Sequence, residues 1–332
     1  MRTIAAIIPL YNGRPFIREA LDSVLAQGRP ADEIIVVDDG STDEGHEIVE
    51  ALRKNDKRIR LLRKSNGGQG SARNLGVAST SCDLIAFLDQ DDYWYKDHLS
   101  ALEQLFESKD DGKLAYVYSN PDRVGVDGEM LTPKLLNTLK NQEHPKTSLM
   151  SCLAKDMCVL PGSSLISRKI FLEVGGFDEQ FRGYEDDDLF VRMFCAGYRA
   201  EYIDRALYAW RNNPSSTSYS LAMIISRENY FSKLSKAALI EKLPNRERSI
   251  FAHRFARLAY RDMKFAIKRR DQTLADRLLA QVMNTTSRMT PYSRFLLRFK
   301  VLRRYWLFRA RIGMESMLGI KRDSRTLAAS IE

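Results

Sequence analysis

Carboxylates crowd at three places in this sequence, each time next to an apolar stretch. Asp38 and Asp39 close the run from Glu33 to Val37, and Asp89, Asp91 and Asp92 close the run from Leu84 to Leu88. Glu185, Asp186, Asp187 and Asp188 open a segment that continues Leu-Phe-Val-Arg-Met-Phe194. Carboxylates packed together repel one another unless a cation or a proton neutralises them. Oxygen ligands of this kind suit a hard divalent ion, Mg²⁺ or Mn²⁺, which keeps several waters and also binds substrate phosphates. The chemistry these residues offer is therefore that of a metal-assisted nucleotide site. Plain structural roles compete with it. Asp92 or Asp97 is suited to cap a helix beginning near His98, and acids at residues 185–188 complement the dipole of the helix they open.

The elements that must hold these groups are legible from periodicity. Thr3 to Leu10 reads as a buried strand whose pairing ends at Pro9. Phe16, Ile17, Ala20, Leu21, Val24 and Leu25 then recur at helical spacing. Strands at Glu33–Val37, Arg58–Leu62 and Leu84–Leu88 alternate with helical segments, the pattern of βαβ units and a parallel sheet. Parallel strands point the same way, so the acids ending the second and the Asp89 strands are predicted to share one edge. Ligands of open α/β sheets bind beyond that carboxyl edge. A carboxylate there can accept from a ribose hydroxyl or a base N–H. The turn Asn66-Gly-Gly-Gln-Gly-Ser-Ala-Arg73 brings backbone N–H groups and a guanidinium within reach of a diphosphate. It lacks the GK[ST] ending of a Walker loop.

Further along, Asn120-Pro121 and Asp127-Gly128 read as turns interrupting a strand-like stretch. Tyr198–Ile203 and Ala206–Arg211 read as two strands joined at Asp204-Arg205. The segment 212–220 is a polar loop after Arg211, suited to phosphate or to solvent. His46, His98, His144 and His253 fall outside every acidic motif, and surface or structural roles are expected for them.

The chain has 332 residues, 44% of them hydrophobic, and a formal net charge of +9. That supports a sizeable core and points to an anionic partner. Cys82, Cys152, Cys158 and Cys195 show no metal-ligand spacing, so reduced and mostly buried thiols are expected. Neither a signal peptide nor an apolar run long enough to cross a bilayer is visible. A cytoplasmic protein is expected, placed on the inner face of the membrane if its tail binds lipid.

Six segments, IIPLYNGRPFIREALDSVLAQ, EIIVVDDGSTD, NGGQGSARNLGV, IAFLDQDDYW, GGFDE and YEDDDLFVRM, together resemble family 2 glycosyltransferases. They occur in the family's order across roughly two thirds of the chain. The resemblance implies the GT-A fold, a mostly parallel sheet flanked by helices. It also implies a nucleotide-diphospho-sugar donor, Mg²⁺ or Mn²⁺, and transfer with inversion to a saccharide or lipid-linked acceptor of envelope or exopolysaccharide assembly. Carried onto this sequence, Tyr11, Asp38 and Asp39 line the base and ribose pocket. Asp89 and Asp91 form the DxD pair, with Asp91 holding the metal and Asp89 facing ribose or sugar. Asp186 is the general base, and Arg73 and Arg211 lie near the diphosphate. The QxxRW motif and membrane-spanning helices of processive members are missing, which favours addition of one sugar at a time. Competing readings are a nucleotidyltransferase, whose basic glycine-rich loop after the first strand is absent here, and a catalytically inactive nucleotide-sugar binder or membrane scaffold.

The expected organisation is a catalytic domain over residues 1–218 and a helical, basic region over 219–332. Residues 294–311 carry seven basic and no acidic side chains, interleaved with eleven apolar or aromatic ones. This composition suits a helix lying on an anionic membrane, and equally a tail helix packing one face on protein with its arginines in water. No nucleic-acid motif supports a nucleic-acid partner.

Overall fold

The computed structural model describes residues 2–140, 142–213, 220–237 and 241–317. Strand β1 (Ile4–Leu10), all seven residues buried, is the axis of the sheet. It is followed by α1 (Ile17–Leu25), β2 (Glu33–Asp38), α2 (Gly45–Asn55), β3 (Ile59–Arg63), α3 (Gln69–Ala78) and β4 (Leu84–Phe87). β2 and β4 flank β1 in parallel, and β3 lies parallel beyond β2. One face of β1, with Ile4, Ala6, Ile8 and Leu10, joins the core made with Ile17, Ala20, Leu21 and Val24 of α1. Those helix positions recur at i, i+3, i+4 and i+7, so one stripe is buried. On the other face α3 lies close over Ile7. A Cβ on Gly76 would meet the Ile7 side chain, so glycine permits that approach.

Pro9 does not end β1. Leu88 N–H donates to Ile7 O and Asp39 N–H to Leu10 O, so alternate residues face alternate neighbours. Pro9 faces the β4 side, past the last β1–β4 pair at Ile7 and Phe87, and costs no ladder hydrogen bond there. Pairing with β2 runs on to Leu10 and Asp38.

Beyond β4 come β5 (Tyr93–Trp94), α4 (His98–Lys109), β6 (Leu114–Val124), β7 (Met130–Thr132), α5 (Leu149–Leu153), β8 (Ser164–Ser167), α6 (Arg168–Glu173), α7 (Glu185–Cys195) and β9 (Arg199–Arg211). The sheet order is β3-β2-β1-β4-β8-β6-β9-β5, with β7 on β6. β8 runs antiparallel to both β4 and β6, and β9 is parallel to β6. Neither Asn120-Pro121 nor Asp204-Arg205 is a turn between strands. Both lie inside long strands, where shifts of register along the β6–β9 pair accommodate the proline. Asp127-Gly128 does turn the chain, into β7. Asp97, not Asp92, stands at the N-cap of α4, although its side chain makes no capping bond. Cys82 and Cys152 are buried and Cys158 half-buried, whereas Cys195, at the end of α7, is exposed.

The chain divides into two compact units, Met1–Ser226 and a second from Arg227 onward. The division falls within α8 (Leu221–Lys236), which is followed by α9 (Asn245–Arg269), α10 (Gln272–Thr286) and α11 (Pro291–Met317). In the second unit the rings of Tyr230, Phe231, Phe251 and Phe255 pack on one another. Asp271 caps α10 through the Leu274 N–H at 2.9 Å. α11 buries Leu297, Val301, Tyr305 and Phe308, and Tyr305 donates to Asp276 at 2.6 Å. The tail helix thus packs one face on protein.

Candidate active site

β1, β2 and β4 are parallel, so Asp38 and Asp89 leave the sheet at the same edge. Asp38 and Asp39 turn inward. Asp38 accepts from Ser41 N–H at 2.8 Å and Arg63 Nε at 3.0 Å. Asp39 accepts from Gly67 N–H at 2.8 Å, Gly68 N–H at 2.6 Å and Lys64 Nζ at 2.8 Å. Asp39 therefore fastens the glycine-rich turn to the end of β2. Gly68 holds a φ of +89° there, a conformation that glycine adopts without strain. Tyr11 is half exposed, and its backbone is clamped at both N–H and C=O by the Gln90 amide, at 2.7 and 3.0 Å. Asn12, in the left-handed region, accepts from the backbone N–H groups of Thr42 and Asp43. Gln90 and Asn12 shape this edge and escape a motif reading. Their only signal in sequence is an amide beside a turn.

Arg73 is the hinge of the site. It is buried, and its guanidinium reaches Asp89 with one nitrogen and Glu185 with another, the latter at 3.0 Å. Phe87 and Phe177 lie under it, with its Cζ 5.9 and 5.3 Å from the ring centroids. Burial alone would depress its pKa, but the charges of Asp89 and Glu185 outweigh that and raise it. Arg73 thus joins the acidic end of β4 to the acidic start of α7, which are far apart in sequence. Asn74 adds a second tie, accepting from Phe177 N–H at 2.9 Å and donating to Phe177 O at 2.8 Å.

Four acids open α7, and their surroundings separate them. Glu185, Asp187 and Asp188 are buried; Glu185 is held by Gln69 and Arg73, Asp187 accepts from Met157 N–H and Asp188 from Arg192. Of the four, Asp186 alone is half-buried rather than buried. Desolvation, then the charges of Glu185 and Asp187, hold its carboxyl well above the usual range. A carboxylate with a raised pKa and access to solvent is suited to take a proton.

At the end of β4, Asp89 and Asp91 remain partly exposed, and Asp92 does not. Asp92 accepts from the Tyr208 hydroxyl and from Arg211 N–H at 2.7 Å, tying the end of β9 to this loop. The sequence groups it with the other acids, but its lone pairs are spent on structure. Asp91 accepts from Asn213 at 3.0 Å, and its carboxyl is raised by burial and then by the charge of Asp89. Arg211 is buried too. It donates to Asp91 O at 2.6 Å, to Val126 O and to Glu19 at 2.6 Å, and lies over Phe16 and Tyr93. Residues 214–219 of the polar loop after it lie outside the described residues. His98 is buried against Trp94, with its pKa lowered to about 3 by desolvation.

Among the described residues no three His, Cys, Asp or Glu side chains are gathered as a ready-made metal cage. The donor set does fit an ion that brings its own waters. Asp91 lacks an ion-pair partner among the described residues, while Asp89 has only Arg73. One or two carboxylates completed by water and phosphate is the usual arrangement for Mg²⁺.

A sheet of this order, with acids at the carboxyl edge and a second acidic cluster delivered by a helix start, defines a GT-A-type α/β protein. *Staphylococcus aureus* TarS residues 1–349, solved with UDP-GlcNAc, shares the fold with a TM-score of 0.66 at 18% identity, over 97% of this chain and 93% of that one. A mannosyltransferase from *Pyrobaculum calidifontis*, solved with GDP-Man and Mn²⁺, does so at 0.58 and 18%, over 95% and 84%. The chain belongs to glycosyl transferase family 2, whose sequence model matches residues 5–175. A second model, for the N-terminal domain of galactosyltransferase, matches residues 157–212. An uncharacterized glycosyltransferase, EpsJ of *Bacillus subtilis*, is 32% identical over 216 residues, 64% of this chain and 62% of that protein. Glycosyltransferase GlyG of *Streptococcus pneumoniae* is 28% identical over 240 residues, 69% and 78% respectively. The match thus spans less than two thirds of the *Bacillus* relative.

Proposed function

We propose that this chain transfers one sugar at a time from a nucleotide-diphospho-sugar, with inversion and with the help of Mg²⁺ or Mn²⁺, to a hydroxyl of a saccharide or lipid-linked acceptor. One observation carries the reading. Arg73 binds Asp89 and Glu185 together, so the half-buried Asp186, beside Glu185, belongs to the same edge as the DxD pair. In this reading Asp186 removes the acceptor proton as the acceptor oxygen bonds to the anomeric carbon. The bond from that carbon to the β-phosphate oxygen breaks, and its electron pair leaves with the nucleoside diphosphate. A divalent ion held by Asp91 and Asp89 would offset the charge that grows on the diphosphate.

Tyr11, Asp38 and Asp39 are the proposed base and ribose contacts. Arg73 and Arg211 are proposed to act on the diphosphate through Asp89 and Asp91, the groups they hold. Solved relatives of the fold were captured with different bases, UDP-GlcNAc for TarS and GDP-Man for the *Pyrobaculum* enzyme, so fold does not choose the donor. No helix among the described residues is long and apolar enough to cross a membrane. A cytoplasmic protein acting at the inner membrane face in envelope or exopolysaccharide assembly is the proposed setting.

The test is calorimetric titration of the folded chain with UDP, GDP, CMP and dTDP, with and without Mn²⁺. Metal-dependent binding of one diphosphate supports the Asp89–Asp91 site and narrows the donor. Binding of none shifts the reading to an inactive scaffold.

A further inference from the structure

α11 is apolar on two sides. Leu297, Val301, Tyr305 and Phe308 are buried. On the opposite side Tyr292, Phe295, Phe299 and Trp306 are each more than 60% exposed, with Leu307 beside them. A helix apolar all round is normally buried all round, and a continuous exposed patch of this kind marks a contact surface.

Between α9 and α11 lies a groove of about 1080 Å³. Arg261, Lys264 and Lys268 of α9 line it, facing Lys300, Arg303 and Arg304 of α11. Phe265, Phe299 and Leu307 give the same groove an apolar lining. Its carboxylate, Glu315, is engaged by Arg270 and Arg311. Lys264, Lys268, Lys300, Arg303 and Arg304 have no carboxylate within ion-pair distance among the described residues. The charge of the chain is divided in the same sense. Residues 227–332 hold 25 Lys and Arg against 9 Asp and Glu, while residues 1–226 hold 27 against 34. The whole positive excess therefore belongs to the helical unit.

We infer that the α9–α11 groove and the outer face of α11 bind an anionic phospholipid surface. Phosphate headgroups lie between the two basic walls, and Phe295, Phe299 and Trp306 sit at the headgroup–acyl boundary. Cationic side chains flanking aromatic and aliphatic ones are the composition of interfacial helices. The charge matches a lipid headgroup, and the exposed apolar face matches acyl chains, which a free phosphate or a nucleic acid would leave uncovered. What the sequence could not show is the α9 wall, which turns a basic helix into a two-sided site. The inference concerns the helical unit and does not depend on the reaction.

The test is flotation of the full chain with phosphatidylcholine vesicles, with and without about a third phosphatidylglycerol. Binding is expected only with the anionic lipid and is expected to weaken as salt rises. Replacing Lys264, Arg303 and Arg304 together by Gln should weaken partition on the order of a hundredfold, at about one kcal/mol per basic residue. These side chains are exposed, so the melting curve should not move. Phe299→Ser with Trp306→Ser should release the protein from anionic vesicles as well. Equal binding to neutral vesicles, or unchanged binding of the triple Gln variant, overturns the inference. So does an absence of vesicle binding in a chain that dimerises through Phe299 and Trp306, which would assign the face to a second copy.

Discussion

Asp186 is set apart from its three acidic neighbours by exposure and by environment. The neighbours are buried, while Asp186 is only half-buried, under the desolvation and like charges that raise its pKa. Asp186→Asn is expected to lower transfer by about two to four orders of magnitude, the usual worth of a general base. Nucleotide affinity by calorimetry should stay nearly unchanged, and equal loss of both would sink the assignment. The same shift makes a prediction of opposite sign for stability. A carboxylate whose folded pKa is raised destabilises the fold increasingly as pH climbs from its unfolded value through its folded one. Asp186→Asn should therefore melt higher than wild type at pH 8, and the difference should close by about pH 4, near the unfolded carboxylate value. A Tm difference that does not vary with pH would mean that the carboxyl is not raised. The acidic cluster was legible in sequence as a local pattern at a helix start, and only the family resemblance singled out Asp186 within it. What was not legible was which acid remains exposed, because that depends on Arg73, Met157 and Arg192, which arrive from elsewhere or from a later turn. Asp92 shows the converse. Its spacing groups it with Asp89 and Asp91, yet Tyr208 and the Arg211 N–H consume it.

At the scale of elements, the Arg73 guanidinium of α3 joins the end of β4 to the start of α7, with Gln69 of α3 adding a second bond to Glu185. Removing Arg73 leaves Glu185 buried without a counter-charge, and breaking a buried pair on one side typically costs about 3–5 kcal/mol. Arg73→Met is expected to destabilise by roughly that amount in urea unfolding. Adding Glu185→Gln should recover part of the loss, with a coupling energy of about 1–3 kcal/mol. Additive effects would mean that the two side chains are not joined. The alternating elements from β1 to β4 could be read directly, because βαβ periodicity is local and strong. β6 and β9 read as interrupted because Asn120-Pro121 and Asp204-Arg205 have the composition of turns. The strands continue because each is the other's parallel partner, and register shifts at these points absorb the irregularity. Such pairing lies outside any window of sequence.

At the scale of the molecule, the chain divides into two compact units of opposite net charge. The unit up to Ser226 is acidic overall and holds the edge of Asp89, Asp91 and Asp186, while the unit from Arg227 is strongly basic and holds the α9–α11 groove. Composition alone shows only the sum, +9, which hides this division. Each ligand should therefore leave its mark on its own unit, which hydrogen exchange followed by mass spectrometry resolves along the chain. A matching nucleoside diphosphate with Mn²⁺ should slow exchange around residues 38–43, 66–73 and 89–92. A ligand at about a hundred times its Kd stabilises its bound state by about 2.7 kcal/mol, enough to slow opening there roughly a hundredfold. Anionic vesicles should slow exchange in α9 and α11 and leave those loops unchanged. Vesicle protection confined to the acidic edge would contradict the assignment of the lipid surface to the basic unit. Protection of both units by either ligand alone would show instead that the two sites are coupled, a linkage that must then act equally in both directions.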